Sequence, residues 1–275
     1  MKRHLIGVIV MSTLVSALFL VRVSAQEIPA QEISAGDISV EQIVNKANLM
    51  AFYQAVDGRA RVSMTITDSM GRERKRSFII LRKDIEDGGE QKYYIFFKKP
   101  ADVRNMVFMV WKHINTDDDR WLYLPALDLV KRIASNDKRT SFVGSHFLYE
   151  DVSGRGLEED THELIEQTDT FYVVKNVPKI PQDVEFDSYT VWIDKNTFMP
   201  LKIEYYQQGE KYRVIESVET KEVNGYLTVT KSKASDLRTG GFTVSEFGKV
   251  EYDINLDEKI FTERYLRQAP RKWLR

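Results

Sequence analysis

"KYRVIESVETKEVNGYLTVTKSKAS", residues 211–235, holds two long β-patterned runs, 211–219 and 226–235, on either side of Val223-Asn224-Gly225. Runs rich in β-branched and aromatic residues, separated by a short Gly-containing turn, read as paired antiparallel strands. The pattern continues in both directions. "SYTVWID" (188–194) and "LKIEYYQ" (201–207) come before it, and "GFTVSEFGKVEYD" (241–253) follows. "DKNT" and "QQGE" supply turns. Consecutive long antiparallel strands of this kind curl into a barrel or half-barrel.

The first half of the chain has the same rhythm. In "RVSMTIT" (61–67), Val62, Met64 and Ile66 share one face. "DSMG" (68–71) turns the chain into "KRSFIILR", which completes a hairpin. "KYYIFFKKP" (92–100), "NMVFMVWKH" (105–113), "RWLYLP" (120–125) and "LVKRIA" (129–134) follow, then "HELIEQ" (162–167) and "TFYVVKNV" (170–177). "VPKIPQD" (177–183) is excluded from a central strand, because proline cannot donate to a ladder. A helix is expected from a cap at Asp37 or Ser39 to about Val56, ended by Gly58, with Val40, Ile43, Val44, Ala47 and Met50 on one stripe. "DEKIFTERYL" (257–266) reads as a closing helix. The fold class is α+β, mostly β: an antiparallel meander of about eleven strands forming an incomplete (half) β-barrel. The helices have apolar stripes to bury, and are expected to cover the concave face.

Residues 1–25 read as a cleavable signal peptide. Lys2, Arg3 and His4 precede the apolar run Leu5–Val21, and Val23-Ser24-Ala25 offers small residues for cleavage. Residues 26–38 form a flexible leader, 39–268 a single domain and 269–275 a C-terminal tail. With no cysteine, disulfides, thiolate catalysis, Cys-ligated zinc and a lipidated N-terminal cysteine are all excluded. An exported cysteine-free chain suits a Gram-negative periplasm. Cleavage leaves 37 of the 40 basic residues against 41 acidic ones, a net charge of about −4 that argues against nucleic acid.

Chemistry is sparse. "GSHFLYED" (144–151) sets Ser145, His146, Glu150 and Asp151 close in sequence, but adjacent residues point apart and no G-x-S-x-G elbow is present. Asp117, Asp118 and Asp119 lack calcium-loop spacing and read as a solvated hairpin tip. Glu158, Glu159, Asp160 and His162 read as surface, not metal ligands. No H-E-x-x-H, P-loop or dinucleotide fingerprint occurs. No catalytic residue, metal or cofactor is expected. "RERKRS" (72–77) and "KRIASNDKR" (131–139) read as solvated basic edges, with anionic headgroups or an acidic partner as the functional alternative.

The run W-x-Y-L-P-A-L-x-x-V-x-R-I (121–133), followed by "SFVGSHFLYED" (141–151), resembles the LolA-like outer-membrane lipoprotein-sorting proteins, in the branch associated with RND/MMPL-type exporters. The likeness extends over most of 40–268. Those proteins usually have Asp after Gly-Ser, where this chain has His146. A titrating histidine there is expected to make the loop sensitive to mildly acidic pH. The resemblance implies a half-barrel with a helical lid over an apolar cavity. It also implies a periplasmic carrier that binds the acyl chains of a lipoprotein or lipid and passes it to an envelope partner. That partner would be an inner-membrane RND/MMPL-type transporter or an outer-membrane acceptor. A non-carrying accessory subunit of such an exporter is the alternative.

Alternation suggests Val62, Met64, Ile66, Phe78, Met106, Phe108, Trp121, Tyr123, Leu201, Ile203 and Tyr205 as the cavity lining. It does not say which face of each strand is concave, and the wrong choice inverts a strand's list by one position. The N-terminal helix and the Gly-punctuated segment 140–156 are the lid candidates. Phe142, Gly144, His146, Phe147 and Tyr149 form the lid or partner loop.

Overall fold

The computed structural model describes residues 38–275. The expected signal peptide, the possible cap Asp37 and nearly all of the leader lie outside the described residues. Helix α1 (Val40–Phe52) starts at Ser39, whose Oγ accepts from the Gln42 N–H at 3.2 Å. Gln42 Oε1 accepts from the Ser39 N–H at 3.0 Å in return, so two otherwise orphaned donors are satisfied. The helix stops before the expected Val56. Ala55 takes a positive φ of 63°, which turns the chain, and Gly58 belongs to the first strand.

The strands are β1 (Asp57–Thr67), β2 (Glu73–Asp84), β3 (Gln91–Lys99), β4 (Val107–Lys112), β5 (Asp119–Leu124), β6 (Leu129–Arg132), β7 (Asp160–Gln167), β8 (Phe171–Pro178), β9 (Ser188–Asp194), β10 (Pro200–Gln207), β11 (Glu210–Val223), β12 (Tyr226–Asp236) and β13 (Gly241–Tyr252). They form one antiparallel sheet of thirteen strands, not about eleven: all thirteen β-patterned segments named above pair, down to the four-residue β6. At the tip of the β11–β12 hairpin, Asn224 and Gly225 both have positive φ (52° and 85°). A two-residue turn of that kind matches the twist of the strands it joins.

The order is β6-β5-β4-β3-β2-β1-β13-β12-β11-β10-β9-β8-β7. The chain enters mid-sheet, runs outward to one edge, crosses to the other edge and returns until β13 pairs with β1. Residues 133–159 make the crossing from β6 to β7.

The two halves of the sheet are built differently. Strands β2–β5 are apolar on both faces. Ile79, Leu81, Tyr94, Val107, Met109 and Trp121 face outward and are covered by Leu256, Ile260, Phe261, Leu266 and Leu274. This covering segment is a 3₁₀ turn (Glu258–Ile260) and a short helix, not one helix over 257–266, because Thr262 is extended (φ −120°, ψ 158°). Residues 269–275 take part in the packing, with Leu274 only 7% exposed. On the inner face, Phe78, Ile95, Phe97 and Phe108 pack against Phe142 and Tyr149 of the crossing segment. Further along the sheet, Ile203, Ile215, Ser232 and Ser245 border open space instead.

Candidate binding cavity

Helix α1 lies over the inner face of β8–β10. Its buried stripe, Ile43, Val44 and Ala47, packs with Val174 and Ile193. Between the helix, the sheet and the crossing segment is a cavity of about 490 Å³. Its walls are mostly apolar: Val44, Ala47 and Ala51 of α1, Val62 and Met64 of β1, Phe78 and Ile80 of β2, and Val174, Val191, Ile203 and Ile215 opposite. Flat, the five steps from β2 to β10 would span about 24 Å at the usual strand spacing. Because Phe78 and Ile203 line one cavity, the sheet must curl around it.

The C-terminal end of α1 is tied down. Arg82 Nη2 donates to the carbonyl oxygens of Gln54 and Ala55 at 2.5 and 2.7 Å, and Nη1 to that of Phe52. Gln91 Nε2 donates to Phe52 O at 2.8 Å, and Tyr53 Oη to Gly89 O at 2.8 Å. Terminal helix carbonyls lack intrahelical donors, and cations there are favoured. The helix stripe further toward the N-terminus sits on the sheet through apolar contacts.

The cavity floor is a buried charge network. Glu150, 2% exposed, pairs with Arg139, with Arg155 at 3.4 Å and with Lys138 at 3.4 Å. Burial alone would raise its pKa. The charges of Arg139, Lys138 and Arg155 override this and hold it down, to about 2. Arg155 also pairs with Asp160 at 2.9 Å, which accepts from Tyr189 Oη at 2.7 Å. Arg213 of β11 pairs with Asp151 and stacks on Tyr205, 5.0 Å from the ring centroid. These contacts tie the crossing segment to β7 and β11, and through Asp160 to β9.

Of the residues expected to line the cavity, Val62, Met64, Phe78, Leu201, Ile203 and Tyr205 reach it. Ile66, Met106 and Phe108 are on the inner face but are packed in the filled half. Trp121 and Tyr123 are on the outer face, where they belong to the cluster under the C-terminal segment. Their expected inward placement is a correction of parity: "RWLYLP" is apolar at every other position in either phase.

The crossing segment, a lid candidate by sequence, is packed into the filled half and the charge network. Phe142 is 2% exposed, Tyr149 is 7% exposed, and both contribute rings to the packed half. Phe147 faces the cavity. Gly144 has φ 75° and its carbonyl accepts from Arg74 Nη2 at 3.2 Å. His146 Nδ1 is 2.8 Å from Thr243 Oγ1, and its ring sits where a Cβ on Gly241 would fall, at 2.5 Å. Burial pushes the His146 pKa down from its ordinary value near 6.5, which favours the neutral ring, against the expected response to mild acid.

Ser145 Oγ donates to Phe147 O at 3.2 Å and has no histidine partner among the described residues. Nor does any cluster of three or more His, Asp or Glu side chains suited to a metal occur among the described residues. Of the two basic runs, Arg72 and Lys75 are exposed, whereas Arg76, Lys138 and Arg139 are buried. Asp118 is also not a solvated tip residue: it pairs with Arg120 at 2.7 Å and accepts from Ser153 Oγ at 3.0 Å.

Residues missed by sequence reasoning include Val174, Val191, Ile193, Ile215 and Phe247. Register could have found several of them. Ile203 opposes Ile215 on one side and Val191 on the other, and Val191 opposes Val174.

A family model described as "uncharacterized protein" matches residues 89–268. A DUF1329 family protein from Desulfovibrio piger is 28% identical over 82% of this chain and 98% of its own, with a TM-score of 0.74. A putative outer membrane lipoprotein-sorting protein domain from Vibrio parahaemolyticus is 27% identical over 82% and 95%, with a TM-score of 0.73. A LolA superfamily protein from Nitrosomonas europaea has the same fold at 18% identity, covering 83% of this chain and 100% of its own, TM-score 0.65. No curated protein matches the chain. With the model spanning most of the described residues and the half-barrel in place, the chain belongs to the LolA-like family.

Proposed function

We propose that the protein carries a lipid, or the acyl chains of a lipoprotein, through the periplasm and passes it to an envelope partner. The observation that carries this reading is the apolar cavity of about 490 Å³ beneath α1. An apolar cavity of about 150 Å³ admits benzene, so this one has room for about three such units, or one acyl chain. Burying a methylene is worth about 0.8 kcal/mol, so a 16-carbon chain gains on the order of 10 kcal/mol before ordering costs. That is enough to hold a tail away from water, and release then needs an acceptor that buries it equally well.

The lid in this reading is α1. Its far end rests on apolar contacts that cargo can replace, while Arg82 holds the hinge end. The crossing segment is the fixed floor. Support for a lipid-type partner comes from the lipoprotein-sorting relative in Vibrio. An RND/MMPL-type exporter or an outer-membrane acceptor would receive the cargo. The accessory-subunit reading expects a sheet interior filled throughout, and only the β2–β5 half fits that. The protein performs no covalent chemistry in this account.

Mass spectrometry of organic extracts from natively purified protein tests it. The expected result is a stoichiometric acyl lipid, lost from a variant whose cavity is blocked. Delipidated protein that takes up no acyl lipid from vesicles would refute it.

A further inference from the structure

Three serines face the cavity from neighbouring strands. Ser217 of β11 opposes Ser232 of β12, and Ser232 opposes Ser245 of β13. All three line the cavity, and Met64 of β1 continues the row. Directly opposed residues have Cβ atoms about 5 Å apart, so the three hydroxyls lie within about 10 Å of one another across the wall. Strand positions that face an apolar hollow ordinarily carry β-branched or aromatic residues, as Ile203 and Ile215 do here.

The hydroxyls on this face are unequally used. Ser217 Oγ donates to Pro200 O at 3.0 Å. Two residues along β13 from Ser245, Thr243 Oγ1 accepts from the His146 N–H at 3.0 Å and lies 2.8 Å from His146 Nδ1. The crossing segment offers the serine row no such partner. Ser232 Oγ and Ser245 Oγ make no hydrogen bond with the described residues, although Ser245 is only 3% exposed and its open side is the cavity. A buried hydroxyl without a partner works against stability, and a plain alkyl chain laid over it leaves it unpaired. Alanine would make the same room without a polar group to satisfy.

We propose that the serine row recognises an oxygen on the cargo: the cavity takes an acyl chain with a hydroxyl group part way along its length, and Ser232 and Ser245 hydrogen-bond to that hydroxyl. A serine hydroxyl donates and accepts, as the hydroxyl on the chain does, so both sides are satisfied. This rests on the carrier reading and adds the cargo class, a hydroxylated acyl lipid. Sites built to hydrogen-bond a ligand hydroxyl discriminate against the analogue that lacks it.

The test is displacement of a fluorescent fatty acid from delipidated protein by stearic acid and by 12-hydroxystearic acid. Wild type should bind the hydroxylated acid about tenfold more tightly, although water holds that acid the better of the two. A double variant, Ser232→Ala with Ser245→Ala, keeps the room and removes the hydroxyls. It should bind stearic acid as well as wild type does and lose the preference. Circular dichroism checks its fold, and Ser245→Ala alone gives the same readout in smaller measure if the double variant does not fold. No preference in wild type, or one that survives the substitutions, overturns the serine row and leaves the carrier reading standing. If wild type takes up neither acid, the carrier reading falls and the serine row with it.

Discussion

Arg139 holds Glu185 by two parallel hydrogen bonds, Nε to Oε2 at 2.7 Å and Nη2 to Oε1 at 2.8 Å. One residue is on the crossing segment and the other lies just before β9. Glu185 also accepts from Tyr212 Oη at 2.7 Å, so the fork joins the floor of the cavity to β11. Charge-assisted bidentate pairs of this kind fix orientation as well as adding energy.

Removing one member of a buried ion pair leaves the other uncompensated. Arg139→Ala should therefore destabilise the protein by about 3–5 kcal/mol, measured by urea denaturation. A loss below about 1 kcal/mol, the range of exposed pairs, would mean that the network does not hold the floor.

Stability should fall in acid through Glu150. Its folded-state pKa, about 2, is below its ordinary value of 4.5. The contribution is thus fully present above pH 4.5 and is lost as pH falls toward 2. A shift of this size corresponds to about 3 kcal/mol. Glu150→Gln should flatten the pH dependence of the denaturation midpoint between pH 5 and 2. An unchanged slope would contradict the assignment.

Arg82→Ala should free the hinge end of α1. Hydrogen exchange in residues 40–56 should quicken while that of the β3–β4 core does not change. A bound fatty acid should dissociate several-fold faster, since barrier losses of about 1 kcal/mol already give factors near five. Unaltered exchange in α1 would show that the helix is held elsewhere.

Trp121 and Ile203 separate packing from binding. Trp121→Ala removes a ring buried on the outer face and should cost about 3–5 kcal/mol without changing affinity for an acyl chain. Denaturation and fatty-acid titration on one preparation check both halves of the statement. A loss of affinity as large as the loss of stability would place Trp121 at the site.

The sequence made the strands legible because turns and alternation are local signals. It did not reveal which face is inward in β2–β5. "SFIIL", "YYIFF" and "WLYL" are apolar in both phases, because the C-terminal segment covers one face while Phe142 and Tyr149 cover the other. Trp121 and Tyr123 were misplaced for that reason. In β1 and β10 one phase is more apolar, and Val62, Met64 and Ile203 do reach the cavity. The charge network was illegible for a different reason. Lys138, Arg139, Glu150, Arg155 and Asp160 look like ordinary surface residues, and only the crossing from β6 to β7 folds them together.

The central claim is that an acyl chain occupies the space between α1 and β10. The most direct measurement is titration of delipidated protein with a fluorescent 16-carbon fatty acid, for wild type and for Ile203→Trp, whose larger ring projects into the space while circular dichroism confirms the fold. Micromolar or tighter binding, about 8 kcal/mol, should appear in the wild type and weaken at least tenfold in the variant. No binding by the wild type, or equal binding by both proteins, would contradict the account.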